Sequence, residues 1–374
     1  MDFLKRISFL FLFIVSFVTL QAFDIDEMLD GNGLESGFSP FLRIGIKTDI
    51  ESFMLEGDAQ ILDKNDKVLS AVQGVFKIAA VSGGIAVGGK VFKVDAMKFT
   101  SELIPLKVEG RMFRGDIEVH LKNSKLIVVN KLDIEDYVKG VINKEAIPSW
   151  PVEAKKTQAV LARTFAVYQK MFNPRSTYFD LAPTVLDQVY DGLGKEDVTS
   201  VEAVNATKGE VITIGSDPAK IYFHSTCGGT ISSSAEVWKK DEPHLQELKC
   251  PYCANSSLYR WTRKLKVSDI AKKLNVKSVN SIKTVRGKTR VESLVIDGKK
   301  MPVNKFRELV GFSVIWSNDF TVTKKGGDFV FNGKGAGHGV GVCQWGMAGM
   351  ANQGKNHYEI LKFYLKGIEV RKMY

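Results

Sequence analysis

The chain has 374 residues, 44% of them hydrophobic, so at roughly 150 residues per domain it is long enough for two or three domains. Charged residues make up 25%, an ordinary globular share that excludes wholesale disorder. Lys and Arg exceed Asp and Glu by 52 to 42, for a net charge of +10. Because these cations recur along the chain without an arginine-rich block or an aromatic-basic stripe, we expect no nucleic-acid partner.

The first 22 residues have the pattern of a secretory signal peptide. Lys5 and Arg6 precede an apolar run from Ile7 to Leu20, and Ala22 supplies the small residue of a cleavage site. This run is shorter than the roughly 20 residues that span a bilayer, so cleavage is favoured over retention as a membrane anchor. We therefore expect export to the periplasm or cell envelope.

Residues 23–40 are acidic, contain glycine and lack periodicity, which indicates a linker. Residues 41–130 form a predicted β-rich part, because short apolar or alternating runs recur at 42–46, 74–78, 116–121 and 126–129. Residues 131–263 form a predicted core. Its helical character begins near Ile134, and its strongest helix is predicted from Pro151 to about Phe172, with Pro151 in the first helical position.

The second half of the chain mixes strands and helices. Strands are predicted at 210–214 and 220–223. Residues 264–325 are predicted to be an inserted small α/β lobe, with helices at 267–274 and 303–310 and strands at 281–285 and 290–296. Residues 326–374 comprise a Gly-rich loop and a final helix near 358–364. Since no regular βαβ rhythm emerges, we predict an α+β fold in which the main domain, 41–374, has two lobes and a cleft.

One carboxylate, Glu145, lies in an apolar and aromatic segment that runs from Tyr137 to Pro151. Such surroundings disfavour the charged form and raise the pKa of a carboxyl group, as a general acid at neutral pH requires. A solvated Glu beside Lys144 at a helix end is the competing interpretation, and local spacing alone favours it. The acidic residues at 133, 135 and 136 are interpreted as a solvated helix start.

The cysteines suggest a metal site. His224 and Cys227, with Cys250 and Cys253 about twenty residues later, could supply the four ligands of a structural Cys3His zinc site. Export favours disulfides instead, and Cys250-Pro-Tyr-Cys253 is also similar to a redox motif, which would indicate an envelope thiol oxidoreductase. Zinc is favoured over both. Cys343 could replace one ligand if the Gly-rich loop folds against the cluster.

Three blocks in order resemble the SpoIID/LytB family, the stage II sporulation protein D group: Ser149–Ala166, Tyr222–Trp238 and Gly337–Ala351. Weaker similarity extends the resemblance from about Phe41 to the C-terminus. The family includes lytic transglycosylases that cleave glycan strands stripped of their stem peptides. Its catalytic Glu falls just before the Pro-x-Trp-Pro block, which implies Glu145 here. Other members enhance cell-wall amidases, so a non-catalytic glycan-binding activator is the alternative.

The resemblance also implies roles for other residues. A substrate-binding role is expected for five of them: Gln158, Arg163, Tyr222, His338 and Gln344. Zinc occurs in some family members, but the chemistry requires no cofactor. A lytic transglycosylase needs one carboxyl group, as acid and then base, and closes a 1,6-anhydro ring without water. Because no second carboxylate stands in a comparable motif, we expect this reaction and not hydrolysis, which ordinarily uses a pair. Peptide-free strands carry free carboxylates, so Arg163 and lysines are expected to favour them.

Overall fold

The computed structural model describes residues 39–102, 104–184, 187–194 and 196–374. The predicted signal peptide and nearly all of the predicted linker lie outside these residues. None of the helices in the described ranges is long and apolar enough to cross a membrane. Helices are combined with several mostly antiparallel sheets, which confirms the α+β class. The predicted domain boundaries stay predictions, and the architecture is described below by its hydrophobic cores.

The first core is built mainly from the β-strands that precede the helices, and side chains of the first two helices also pack into it. Its strands are β1 (Phe41–Ile50), β2 (Ser52–Glu56), β3 (Ala59–Leu62), β4 (Val68–Val72), β5 (Val75–Val81), β6 (Gly84–Val87), β7 (Lys90–Phe92), β8 (Ala96–Thr100), β9 (Leu106–Val108), β10 (Arg111–Phe113), β11 (Asp116–Lys122) and β12 (Lys125–Asp133). They form two six-stranded sheets in the orders β1-β12-β11-β8-β3-β4 and β10-β9-β2-β5-β6-β7. Alternate side chains such as Phe53, Leu55 and Ile78 are buried between them. The four strands predicted in this part are confirmed.

The helices follow directly from β12. They are α1 (Ile134–Glu145), α2 (Val152–Phe172), α3 (Val198–Ala206), α4 (Ser234–Trp238), α5 (Val267–Lys273), α6 (Val303–Val310), α7 (Gln344–Asn352) and α8 (His357–Tyr364). Asp133 ends β12 and caps α1, since its side chain accepts a 2.7 Å hydrogen bond from the backbone N–H of Glu135. Pro151 is the N-cap of α2 and not its first helical residue. Helix α2 contacts α1, α3, α7, α8 and the strand that follows α3.

The second core surrounds α2 and α7. Its strands are β13 (Glu210–Ile214), β14 (Asp217–Pro218), β15 (Phe223–His224), β16 (Thr230–Ile231), β17 (Leu248–Lys249), β24 (Val342–Cys343) and β25 (Glu369–Lys372). Only Phe223 of the strand predicted at 220–223 lies in a strand. Parallel pairing of β15 with β24 brings the Tyr222 block to the Gly337 block. The predicted Gly-rich loop contains α7, which packs closely because two of its residues are glycines. An added Cβ would lie 2.1 Å from Tyr364 Oη at Gly346 and 2.1 Å from the carbonyl oxygen of Tyr252 at Gly349.

Residues 260–334 have a third hydrophobic core. The strands here are β18 (Arg260–Lys266), β19 (Ile282–Arg286), β20 (Val291–Ile296), β21 (Lys299–Pro302), β22 (Asp319–Lys325) and β23 (Asp328–Lys334), joined by α5 and α6. They form two three-stranded sheets, β18-β23-β22 and β19-β20-β21. The helices predicted at 267–274 and 303–310 are confirmed to within a residue. The sheet that begins at Arg260 and ends at Lys334 is wider than the predicted lobe of 264–325, and we call residues 260–334 the 260–334 unit.

Candidate functional site

Glu145, the last residue of α1, lines a pocket of about 640 Å³, here called the Glu145 pocket. Segments far apart in sequence form its walls. They contribute Glu145, Phe165, Asp187, Val189, Ile221, Tyr222, Phe223, His224, Ser225, Trp238, Gly337, His338 and Gln344. Of the residues that the sequence singled out, Glu145, Tyr222, His338 and Gln344 lie together here. A concave, largely apolar and aromatic site with a few convergent polar groups is typical of a ligand pocket.

The carboxyl group of Glu145 is half-buried and held by two neighbours. The side-chain amide of Gln344 donates to Oε2 at 3.2 Å and to the backbone carbonyl of Glu145 at 3.0 Å, and the backbone N–H of Val189 donates to the carboxylate. Burial raises the pKa of Glu145, and these two donors only partly oppose it. Glu145 also lies at the C-terminal end of α1, where the negative end of the helix dipole disfavours a carboxylate and so raises the pKa in the same direction as burial. Glu145 therefore keeps its proton to a higher pH than an exposed Glu does.

Gln158 lies behind the pocket wall. Its Oε1 accepts from the Gln344 amide at 3.2 Å, and its own Nε2 has no partner among the described residues. The side chain is completely buried on α2. Gln158 therefore orients Gln344 and does not line the Glu145 pocket, which differs from the substrate-binding role expected for it.

Arg163 is also absent from the pocket. It is fully buried, and its guanidinium donates to both carboxylate oxygens of Glu135, at 2.9 Å and 2.6 Å, and to the carbonyl of Glu210. Although burial raises the pKa of Glu135, the hydrogen bonds from Arg163 and from the Tyr374 hydroxyl hold it below its usual value. The substrate-binding expectation for Arg163 does not agree with this geometry. The interpretation of Glu135 as solvated is wrong, because α2 places Arg163 against it.

Aromatic rings form one wall of the Glu145 pocket. The ring of Trp238 lies 4.4 Å from that of Tyr222 and 5.1 Å from that of His338, between centroids. His338 uses both nitrogens in backbone contacts: Nε2–H donates to the carbonyl of Phe223 at 2.9 Å, and Nδ1 accepts from the N–H of Val340. Burial lowers the pKa of His338 to about 4, so it is neutral near pH 7. It therefore presents a ring surface and not an acid or base.

Two pocket residues were not singled out as substrate contacts from the sequence. Trp238 ends the second family-like block, and its position in that block is the signal that could have identified it. His224 was assigned to the metal site, yet it lines the pocket. Its Nδ1–H donates to the carbonyl of Val340 at 3.0 Å, whereas its buried Nε2 has no partner among the described residues. With Nδ1 protonated, this buried nitrogen is a hydrogen-bond acceptor.

Asp187 is a second carboxylate of the pocket, and no sequence motif pointed to it. Its side chain is 0% exposed and forms an ion pair with Arg175, whose Nε donates to Oδ1 at 2.8 Å and to Oδ2 at 3.0 Å. The backbone N–H of Ala182 donates to Oδ2 as well. Because a guanidinium and a backbone N–H occupy its oxygens, the Asp187 carboxylate cannot readily attack a sugar carbon or activate water. Glu145 is the other carboxyl group of the pocket, and its pKa is raised.

All four cysteines of the chain are buried, unpaired and close together. The sulfurs of Cys227, Cys250, Cys253 and Cys343 lie within 4.8 Å of one another. A tetrahedral zinc site with Zn–S bonds of about 2.3 Å needs sulfurs slightly under 4 Å apart, so this cluster fits one with small adjustments. Of the four predicted ligands, His224 lies outside this cluster, because it turns its Nδ1 to Val340, whereas β24 carries Cys343 to the three other sulfurs.

Comparisons with known proteins show which family this chain resembles. The family model described as SpoIID, stage II sporulation protein, matches residues 122–214, which include α1, Glu145 and α2. Stage II sporulation protein D of Bacillus subtilis is 31% identical over 263 residues, covering 65% of this chain and 75% of that protein. The chain belongs to the SpoIID family.

Two further relatives extend this comparison. An uncharacterized protein of Brachyspira hyodysenteriae is 37% identical over 270 residues, covering 70% of this chain and 73% of that protein. An amidase enhancer of Bacillus subtilis is 27% identical over 286 residues, covering 62% of this chain but 39% of the enhancer. The SpoIID relatives thus match most of their length, whereas the enhancer is much longer than the shared region.

Proposed function

We propose that this protein is a peptidoglycan lytic transglycosylase that cleaves glycan strands lacking stem peptides. Family membership and the similarity to an amidase enhancer support a role connected with the cell wall. The observation that carries the finer proposal is the contrast between two carboxyl groups in one pocket. Glu145 has a raised pKa and Asp187 is bound by Arg175. One carboxyl group that can exchange a proton suits a reaction that needs no second carboxylate.

The reaction begins with Glu145 in its protonated form. Glu145 donates its proton to the glycosidic oxygen as the bond from that oxygen to C1 of muramic acid breaks. The carboxylate that results takes the proton of the C6 hydroxyl, whose oxygen forms the new bond to C1. The products are a free 4-hydroxyl on the leaving sugar, a 1,6-anhydro end and a reprotonated Glu145. Gln344 and Val189 stabilise the carboxylate between the two steps.

The aromatic wall would position the sugar for this reaction. Flat apolar surfaces such as Trp238 and Tyr222 suit the faces of pyranose rings. Water must not compete with the C6 hydroxyl. A pocket with largely apolar walls reduces that competition.

Product chemistry tests the proposal. Purified glycan strands without stem peptides are incubated with the protein, and the ends are identified by mass spectrometry. We expect 1,6-anhydro ends from the wild type and a loss of at least about a hundredfold in Glu145→Gln. Ordinary reducing ends would indicate a hydrolase, and anhydro ends released by Glu145→Gln at the wild-type rate would remove Glu145 from the mechanism.

The second candidate function is a non-catalytic activator of a cell-wall amidase, which the similarity to the amidase enhancer favours. An activator would bind glycan in the same pocket and would not need the proton of Glu145. Adding wild type or Glu145→Gln to a cell-wall amidase assay separates the two functions. Equal stimulation by both proteins, with no anhydro ends from the wild type, would establish the activator.

We also propose that Cys227, Cys250, Cys253 and Cys343 hold a structural zinc ion. Burial raises the pKa of the Cys343 thiol, so four thiolates here need a cation to compensate their charge. The buried Arg290 donates to the carbonyls of Cys227 and Thr230, at 3.2 Å and 2.7 Å, and places a positive charge beside the cluster. Metal analysis should find one zinc per chain. Dithiol-dependent activity in metal-free protein would instead indicate the thiol oxidoreductase.

We further propose that the mature protein acts outside the cytoplasm.

A further inference from the structure

The positive charge of the protein is concentrated in the 260–334 unit. This unit has 18 Lys and Arg against 6 Asp and Glu, a net charge of +12. The whole chain carries +10, so the remainder carries −2. The interpretation of an excess spread along the chain is therefore corrected. A folded unit with this charge and its own hydrophobic core attracts polyanions, whereas the rest of the molecule does not.

Part of this charge lines a groove on the outer face of the sheet β18-β23-β22. The groove has a volume of about 650 Å³ and includes Arg260, Lys334 and Arg286. Pairing of the strands sets Arg260 opposite Lys334 and Lys334 opposite Asp319. Arg286 is already paired with Asp319 at 2.7 Å. Arg260 and Lys334 are exposed, and neither forms an ion pair or a side-chain hydrogen bond with a described residue.

Polar side chains continue the groove along the sheet. Thr262, Asn332 and Thr321 form the next row across the three strands. Thr262 donates to Oδ1 of the Asn332 side chain at 2.8 Å, a bond that does not use the amide N–H groups of Asn332. Two unpaired cations beside hydroxyl and amide groups can bind a molecule that has both carboxylates and hydroxyls. A polysaccharide with acidic groups has this composition.

The groove and the Glu145 pocket are joined by a short, fixed segment. Lys334 lines the groove, and Gly337, three residues later, lines the Glu145 pocket. Three residues span at most about 11 Å. The segment is held on both sides, since Gly335 N–H donates to the carbonyl of Tyr259 at 3.2 Å and Gly337 N–H to that of Trp316 at 2.8 Å. A glycan strand that leaves the pocket in this direction therefore reaches the groove within a few sugar residues.

We propose that the groove of the 260–334 unit is an outer subsite, in which Arg260 and Lys334 bind carboxylates of the glycan strand whose scissile bond lies in the Glu145 pocket. This inference rests on the proposed function and adds how the protein selects peptide-free strands. Such strands carry a free lactyl carboxylate on each muramic acid, and charge-assisted hydrogen bonds to Arg and Lys recognise that group. Selection for acidic glycan is thus separated in space from the residues that perform the reaction.

Binding to two glycans of equal length tests this subsite. The probes are stem-peptide-free strands, which carry carboxylates, and chitin oligosaccharides, which share the backbone but are uncharged. All measurements use Glu145→Gln protein, so that cleavage does not interfere. Replacing both Arg260 and Lys334 with Gln should weaken binding of the acidic strands about tenfold, the effect of losing roughly one charge-assisted hydrogen bond. Binding of chitin oligosaccharides should be unchanged.

A matched control keeps the test specific. Replacing Lys299 and Lys300 with Gln removes the same charge from exposed positions of the same unit, on β21, outside the groove. Equal weakening by both double variants would show diffuse charge attraction and overturn the subsite. Preferential binding to vesicles containing anionic phospholipid would also overturn the subsite, if that binding were lost in the variant in which both Arg260 and Lys334 are replaced. Absence of anhydro ends from wild-type protein would refute the proposed function alone, because the binding comparison does not depend on turnover.

Discussion

The side-chain amide of Gln344 lies 3.2 Å from Oε2 of Glu145, and Gln344 directly follows Cys343, whose sulfur belongs to the four-cysteine cluster. The cluster thus fixes the first residue of α7, and that residue holds the candidate catalytic acid. Gln158 supports the amide from the opposite side at 3.2 Å. We therefore expect the pKa of Glu145 and the integrity of the cysteine cluster to be linked, because Gln344 and Cys343 are adjacent in the chain.

Replacing Gln344 with Leu should change the pH dependence of cleavage. The general acid must be protonated, so activity falls as the pH rises through the pKa of Glu145. Gln344 lowers that pKa by donating to the carboxylate, and its removal should raise the pKa further and move the alkaline limb of the kcat/KM profile to higher pH. Gln353→Leu, at an exposed position at the end of α7, is the control. A limb that stays in place, or moves to lower pH, would contradict the assignment of Glu145 as the acid.

Arg163→Met should destabilise the fold, because it leaves Glu135 buried without its partner. The expected loss is about 3–5 kcal/mol in the free energy of unfolding, measured with urea. The folded-state pKa of Glu135 is lowered, so its contribution to stability is present above the unfolded pKa of about 4.3 and is lost as the pH falls from there through the lower folded-state pKa. Adding Glu135→Leu to Arg163→Met should recover part of the stability. A stable single variant with weaker glycan binding would instead restore a substrate-binding role for Arg163.

Two substitutions distinguish the ligand sets of the metal site. Cys343→Ser should reduce the zinc content and the melting temperature, because Cys343 Sγ lies in the cluster. His224→Ala should keep the zinc, because His224 Nδ1 donates to Val340 and its other nitrogen belongs to the pocket wall. Metal content is measured by elemental analysis after purification under mild reduction. Zinc lost from His224→Ala and kept by Cys343→Ser would return the site to the Cys3His set.

Asp187→Asn tests whether the second carboxylate takes part in the reaction. Because Arg175 and a backbone N–H hold Asp187, we expect the product to remain the 1,6-anhydro end. The rate should fall by less than about tenfold, against at least about a hundredfold for Glu145→Gln. Thermal unfolding of both variants controls for altered folding. A rate loss in folded Asp187→Asn as large as that of Glu145→Gln would make Asp187 a catalytic partner.

Local patterns were sufficient for the elements that carry Glu145. An Asp before the first helical turn and a Pro at the start of the next helix predict α1 and α2, because capping and proline geometry act within a few residues. The predicted start of α1 near Ile134 and the predicted span of α2 are confirmed to within a residue. The predicted Gly-rich loop was harder to interpret, because part of it forms α7. There Gly346 packs closely against Tyr364 and Gly349 against Tyr252, contacts that local sequence does not reveal.

The sequence by itself therefore determined the family-like blocks, the two helices and the presence of a carboxyl group in an apolar segment. Only the tertiary structure decided which side chains share a site. It placed Arg163 against Glu135, brought Asp187 with its Arg175 partner to the pocket, and gave the cluster Cys343 in place of His224. Such contacts, 28 positions apart for Arg163 and Glu135 and 116 for Cys227 and Cys343, depend on strand pairing and helix packing, and no periodicity within one segment encodes them.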